Sequence, residues 1–79
     1  MKRSIRQYTR LDDGASCTGA VTELGDGLLD ILVVAKGGHE QKPGKWSVRA
    51  AKQQADKWAK KLLGRKVVAS RWNRYDTQP

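Results

Sequence analysis

Few residues of this chain could do acid–base, nucleophilic or metal chemistry, and their spacing keeps them apart. His39-Glu40 is the one pair resembling a general acid and base. It lies in a polar, glycine-containing stretch, 37–45, where solvation would deny both groups the environment that tunes a catalytic pKa, so a surface loop is the better reading. Cys17 is the single cysteine, which excludes an internal disulfide, and with one histidine beside it the chain has too few soft ligands for a structural zinc site. A small core hydrophobe is its expected role. A phosphate cradle is suggested by glycines, then Gly44-Lys45, ahead of a helix. The P-loop pattern fails, however. Five residues rather than four separate Gly38 from Gly44, Trp46 stands where magnesium chemistry needs Ser or Thr, and Pro43 lacks an N–H. No catalytic residue, metal or cofactor is therefore expected, and the chain reads as a non-enzyme.

The remaining chemistry is electrostatic. Sixteen basic and 8 acidic residues give a net charge of +8, unevenly placed: residues 1–41 carry 5 basic and 6 acidic groups, residues 42–79 carry 11 and 2. A basic half of this kind suits a polyanionic or acidic partner. Charge needed only for solubility would be interspersed, yet Asp56 is the one acid between Lys42 and Arg74. The candidate binding residues are Lys45, Arg49, Lys57, Lys60, Lys61, Arg65, Lys66, Arg71, Trp72 and Arg74. The run Arg71-Trp72-Asn73-Arg74-Tyr75 interleaves cations with aromatics, which suits base stacking with phosphate neutralisation and equally a protein interface anchored by Trp and Arg.

The element that must present these cations is a helix over 47–64. Val48, Ala51, Ala55, Trp58, Ala59, Leu62 and Leu63 recur at three- and four-residue spacings, an apolar stripe of roughly 140°, with Arg49, Lys57, Lys60 and Lys61 opposite. Ser47 suits the N-cap and Gly64 the C-terminal stop. Ahead of the helix, 4–11 alternates as a half-exposed edge strand, with Ile5 and Leu11 on one face and Arg6, Tyr8 and Arg10 on the other. Asp12-Asp13-Gly14 is a turn. Segment 16–24 is a second strand, in which Gly19 marks a bulge or a close backbone approach. Gly25-Asp26-Gly27 is a second turn, and 28–36 is a central strand whose Asp30 must find the polar side or a cation. A loop over 37–45, a fourth strand over 66–72 and a frayed tail over 73–79 complete the chain.

Seventy-nine residues make one small domain, 1–79. The expected fold is α+β: a three- to four-stranded, mostly antiparallel sheet in the order β-β-β-α-β, with the helix on one face. Its core would hold Val21, Leu29, Ile31, Val33, Val48, Ala55, Trp58, Ala59, Leu62 and Val67. The longest apolar run, 31–35, is far too short to cross a bilayer, and no signal-peptide stretch follows the first ten residues. A soluble, cytoplasmic protein follows, with no membrane partner. Met1 without a tag-like flank suits an entire gene product.

Three strands followed by a helix resemble the arm-site DNA-binding domains of phage integrases and the plant AP2 domain, which place the sheet in the major groove. That resemblance would make Arg3, Arg6, Arg10 and Lys36 the readers. The chain departs from the pattern in its apolar and acidic second and third strands (Glu23, Asp26, Asp30) and in carrying its strongest charge on the helix side. In size and architecture the whole chain also resembles small phage-encoded inhibitors, anti-CRISPR proteins among them, which implies steric block of a nucleic-acid-handling complex through a charged surface. The partner is then an acidic protein surface of such a complex. The alternative is a direct DNA- or RNA-binding module using the basic helix face and the Arg/Trp/Tyr segment. The residues leave the oligomeric state open and lean to a monomer.

Overall fold

The computed structural model describes residues 2–76. Strands β1 (Lys2–Arg10), β2 (Ser16–Gly25), β3 (Leu28–Ala35) and β4 (Gly38–Lys45) form a meander. Helix α1 (Val48–Leu63) follows, then two short strands, β5 (Val67–Ala69) and β6 (Asn73–Asp76). All pairings are antiparallel. The order is β4-β3-β2-β1-β5, and β6 shares the outer edge of β1 with β5. The sheet thus has six strands rather than the three or four expected, in a β-β-β-β-α-β-β chain.

Both extra strands have physical causes. Segment 38–45 carries no apolar alternation, because β4 is an edge strand held through its backbone, from Ala35 opposite Gly38 to Leu28 opposite Lys45. Pro43, Lys42 and Lys45 sit where an edge tolerates a missing donor and where charge deters a further strand. The segment expected as one strand over 66–72 ends at Ala69. The Ser70 N–H donates to the Gln7 carbonyl and the Gln7 N–H donates back to Ser70 Oγ. The chain then resumes as β6, with Arg3 opposite Tyr75 and Ile5 opposite Asn73. Residues 73–76 are therefore paired strand, not a frayed tail; residues 77–79 lie outside the described residues.

Helix α1 follows its local signals. Ser47 Oγ accepts from the Ala50 N–H at 3.1 Å. At the other end Gly64, at φ 98°, donates its N–H to the Lys60 carbonyl, and the Arg10 guanidinium caps the Leu63 carbonyl at 2.9 Å. The helix meets the sheet through Ala51, Ala55 and Ala59, all wholly buried, and Leu63. Methyl side chains along this seam let the helix lie close to β2 and β3. Facing it are Tyr8, Cys17, Val21, Leu29, Ile31 and Val33.

Six of the ten expected core residues (Val21, Leu29, Ile31, Val33, Ala55 and Ala59) are buried as anticipated, as is Cys17, whose thiol pKa burial pushes up. Trp58, Leu62 and Val67 only flank the core, because the alanine seam already fills the central contact. Val48, one turn beyond that contact, is exposed.

The larger correction concerns β1. It is an interior strand, between β2 and the β5/β6 pair, and its buried side is the one bearing Arg6, Tyr8 and Arg10. Tyr8 is 2% exposed. Gly19 makes that possible: a Cβ there would come within 2.9 Å of Tyr8 Cε2. Of the bulge or close backbone approach expected at this glycine, the register shift falls instead at Glu23/Gly25, and what packs against Gly19 is a tyrosine ring rather than backbone.

Candidate binding surface

The helix side of the molecule is organised around an inward-facing anion. Asp56 Oδ1 accepts from Tyr8 Oη at 2.6 Å and from Arg6 Nη1 at 3.1 Å. Burial and, after it, this hydrogen bond push the Tyr8 pKa well above the ordinary phenol range. The Arg6 guanidinium also lies 5.0 Å from the centre of the Trp72 ring, which Lys52 Nζ approaches to 5.5 Å. Arg6, Tyr8, Asp56, Trp72 and Lys52 thus tie β1, α1 and the β5–β6 connection together. Such a cluster satisfies a half-buried carboxylate with a cation and a phenol, and its cation–π contacts add roughly 0.5–2 kcal/mol each. Arg6 Nε is buried without a hydrogen-bond partner among the described residues.

This inward commitment of Asp56 leaves the outer surface of α1 without an anion. Arg49, Lys57 and Lys60 are exposed, and none of them, nor Lys52, has a carboxylate within 4.0 Å among the described residues. Lys61 differs: its Nζ bonds Glu40 Oε1 at 2.8 Å, joining α1 to β4. Beyond the helix, Arg65 and Arg71 are exposed and unpaired among the described residues. Lys66 and Arg74 approach Asp12 and Glu23 at 3.9 Å, exposed pairs worth little.

The structure therefore brings Arg49, Lys57 and Lys60 onto one convex side and adds Lys52, which the sequence reading omitted. Its signal was the spacing to Asp56, a cation one turn before the lone acid of the helix. Lys45 does not join them. Strand alternation sets it with His39 and Gln41 on the sheet face away from the helix. Trp72 is half-buried against the core with cations near its ring, so it is engaged within the fold rather than presented for stacking.

Two other sequence motifs come apart. His39 and Glu40 are neighbours on a strand and so point to opposite faces: Glu40 reaches Lys61 while His39 pairs across to Val34. They do not form an acid–base pair. Gly38, Pro43, Gly44 and Lys45 lie in extended β4, which is no phosphate cradle.

The sheet-reading arrangement also fails. Arg6 and Arg10 are on the helix side, bound to Asp56 and to Asp13 with the Leu63 carbonyl, while Arg3 lies on the other face and donates to Thr22 Oγ1. Lys36 is in the β3–β4 turn. Asp30 does reach the polar side anticipated for it, accepting from the Gln41 amide at 3.0 Å.

A hollow of about 660 Å³ opens beside the helix C-terminus between Arg10, Asp13, Lys36 and Leu62. Among the described residues, no helix is long and apolar enough to cross a membrane and no three His, Cys, Asp or Glu side chains gather as a metal site. Compared with protein-family models, curated proteins and solved structures, the chain matches none.

Proposed function

We propose that this is a non-enzymatic binding protein whose helix side docks on an acidic surface of a nucleic-acid-handling complex and blocks it sterically, in the manner of small phage-encoded inhibitors. One observation carries the reading. The single acid of α1 is turned inward to Arg6 and Tyr8, while Arg49, Lys52, Lys57 and Lys60 keep no carboxylate partner among the described residues. A surface built for solubility alone would intersperse both signs, and an unneutralised patch of one sign steers an oppositely charged partner into contact.

The second reading, direct binding to nucleic acid, is favoured by the preponderance of lysine in this set, since ammonium groups act as point charges on phosphates. The engaged Trp72 ring directs that reading to duplex phosphates rather than stacked bases.

A combined Arg49→Glu, Lys57→Glu and Lys60→Glu variant tests both. Lys61 is left intact because its reversal would break the contact with Glu40. Fluorescence anisotropy with labelled duplex, at low and moderate salt, reports phosphate binding: wild-type affinity falling steeply with salt and lost in the variant establishes the second reading. If wild type ignores the duplex, a pull-down should retain a defined nucleic-acid-handling complex that the variant releases. Equal retention by the two proteins, or none by either, removes the helix side as the docking surface.

A further inference from the structure

The face of the sheet opposite α1 is covered by no described element. Alternation places Ile5, Ala20 and Leu32 in one cross-strand row, half-buried, and Val34 in the next. Four of the seven exposed large hydrophobic side chains (Leu28, Val34, Val68 and Tyr75) lie on this face. Between them stand uncharged Gln7, Thr18 and Gln41. Its charged groups are few: Arg3 and Asp30 on one row, each already hydrogen-bonded, and Lys45 at a corner. His39 adds a titratable group at the edge strand. An uncovered sheet face with few charges and aliphatic side chains set among Thr and Gln suits an interaction surface.

We propose that this face is covered by the same face of a second copy of the chain, giving a sandwich of two sheets with the helices outside. Three observations favour that occupant. The first is charge. The face carries few charges, so an acidic partner would find its cations on the other side, whereas a second copy, also +8, brings most of its own cations on the far side of its sheet. In a face-to-face pair, layers ~10 Å apart put the two helices and their lysines about 30 Å from each other, well beyond the ~8 Å screening length of physiological salt.

The second is self-complementarity. A two-fold contact must match a patch to itself, and the row Arg3, Thr22, Asp30 carries a cation and an anion two strands apart, with β2 between them, so that a two-fold axis along β2 sets Arg3 over the other copy's Asp30. The third is area. Strands of eight to ten residues across five columns span roughly 20 × 30 Å, or about 600 Å² per copy. Two copies bury ~1,200 Å², the lower end of stable specific interfaces.

Sedimentation equilibrium of the full chain from low to high micromolar concentration tests this. Wild type should approach twice the 8.8 kDa chain mass. Val34→Glu, at a position already 45% exposed, should weaken self-association at least tenfold with the far-UV circular dichroism unchanged. Thr18→Arg, its neighbour across the row, serves should Val34→Glu unfold. Lys57→Glu on the helix side should leave the dimer intact. Wild type at the chain mass throughout overturns the proposal and leaves the face to a partner of another kind. A dimer that survives both open-face substitutions places the contact elsewhere and overturns it equally. Neither result bears on the helix-side reading, which the Lys57 variants address separately.

Discussion

Ile31 and Val34 lie three residues apart on β3, yet the first is wholly buried beneath α1 and the second is 45% exposed on the other side. The same division runs through the whole sheet. The covered face combines an alanine-seamed apolar centre with a flank of committed charge: Asp56 with Arg6 and Tyr8, Glu40 with Lys61, Arg10 with Asp13. The open face is weakly charged and rich in Thr, Gln and aliphatic groups. The covered face gains stability from close packing and specificity from a few satisfied polar groups. The open face contributes little to the stability of one chain and keeps its apolar area for association.

The largest effect expected from this contrast comes from truncating β3 on either side. Ile31→Ala should cost about 2–5 kcal/mol through lost burial and the cavity left behind. Val34→Ala, measured by urea unfolding at dilute concentration, should stay within ~0.5 kcal/mol. Comparable losses at the two positions would break the comparison. Next, Gly19→Ala should cost about 1–3 kcal/mol, the range for forcing an extra group into a packed core, because the Tyr8 ring occupies the space of the new methyl. A thermal midpoint equal to wild type would show that the ring moves aside freely.

Tyr8→Phe should cost about 1–2 kcal/mol by removing a hydrogen bond to a carboxylate, and it sharpens the contrast through pH. The folded-state pKa of Tyr8 is raised. Its contribution is therefore complete below the unfolded phenol value, about 10, and is lost as pH rises beyond it. The Phe variant should lack that part of the alkaline loss, and identical alkaline limbs would remove Tyr8 from the account.

The smallest effect lies on the acid side. The hydrogen bond from Arg10, then that from the Ala15 N–H, hold the Asp13 carboxyl well below the usual range. Its contribution is present above about pH 4 and fades as pH falls further. Asp13→Asn should flatten that limb slightly, and an unchanged limb would assign the acid loss to other carboxylates.

What could be read from the residues was what the chain specifies locally. Ser47 and Gly64 bound α1 because caps act within a turn of their own position, and the two Asp/Gly turns delimit β2 by the same kind of short-range geometry. Asp30 and Cys17 found the surroundings their chemistry required. β4 was not legible, since Gly38–Lys45 becomes a strand only because β3 offers it a partner. Nor was the side of β1 that faces the core: Arg6 and Tyr8 look like surface residues until Asp56, 50 positions from Arg6, supplies the carboxylate that permits their burial. On the candidate surface, the helix cations Arg49, Lys57 and Lys60 were legible from periodicity. The pairing of Lys61 with Glu40 and the engagement of Trp72 by Arg6 and Lys52 depend on tertiary neighbours that no local spacing reveals.

The shared outer edge of β1 has a consequence for the order in which the chain can fold. Strand β1 is bordered on one side by β2, which follows it at once, and on the other by β5 and β6, which are made only after α1; Arg3 awaits Tyr75. Until β5 and β6 are made, the meander and helix can assemble, but the backbone groups along that edge of β1 remain unpaired. Closing so long a loop is slow compared with forming a hairpin. Strands β5 and β6 would therefore act as a latch, and a nascent chain arrested before them would expose an interior strand as an adhesive edge.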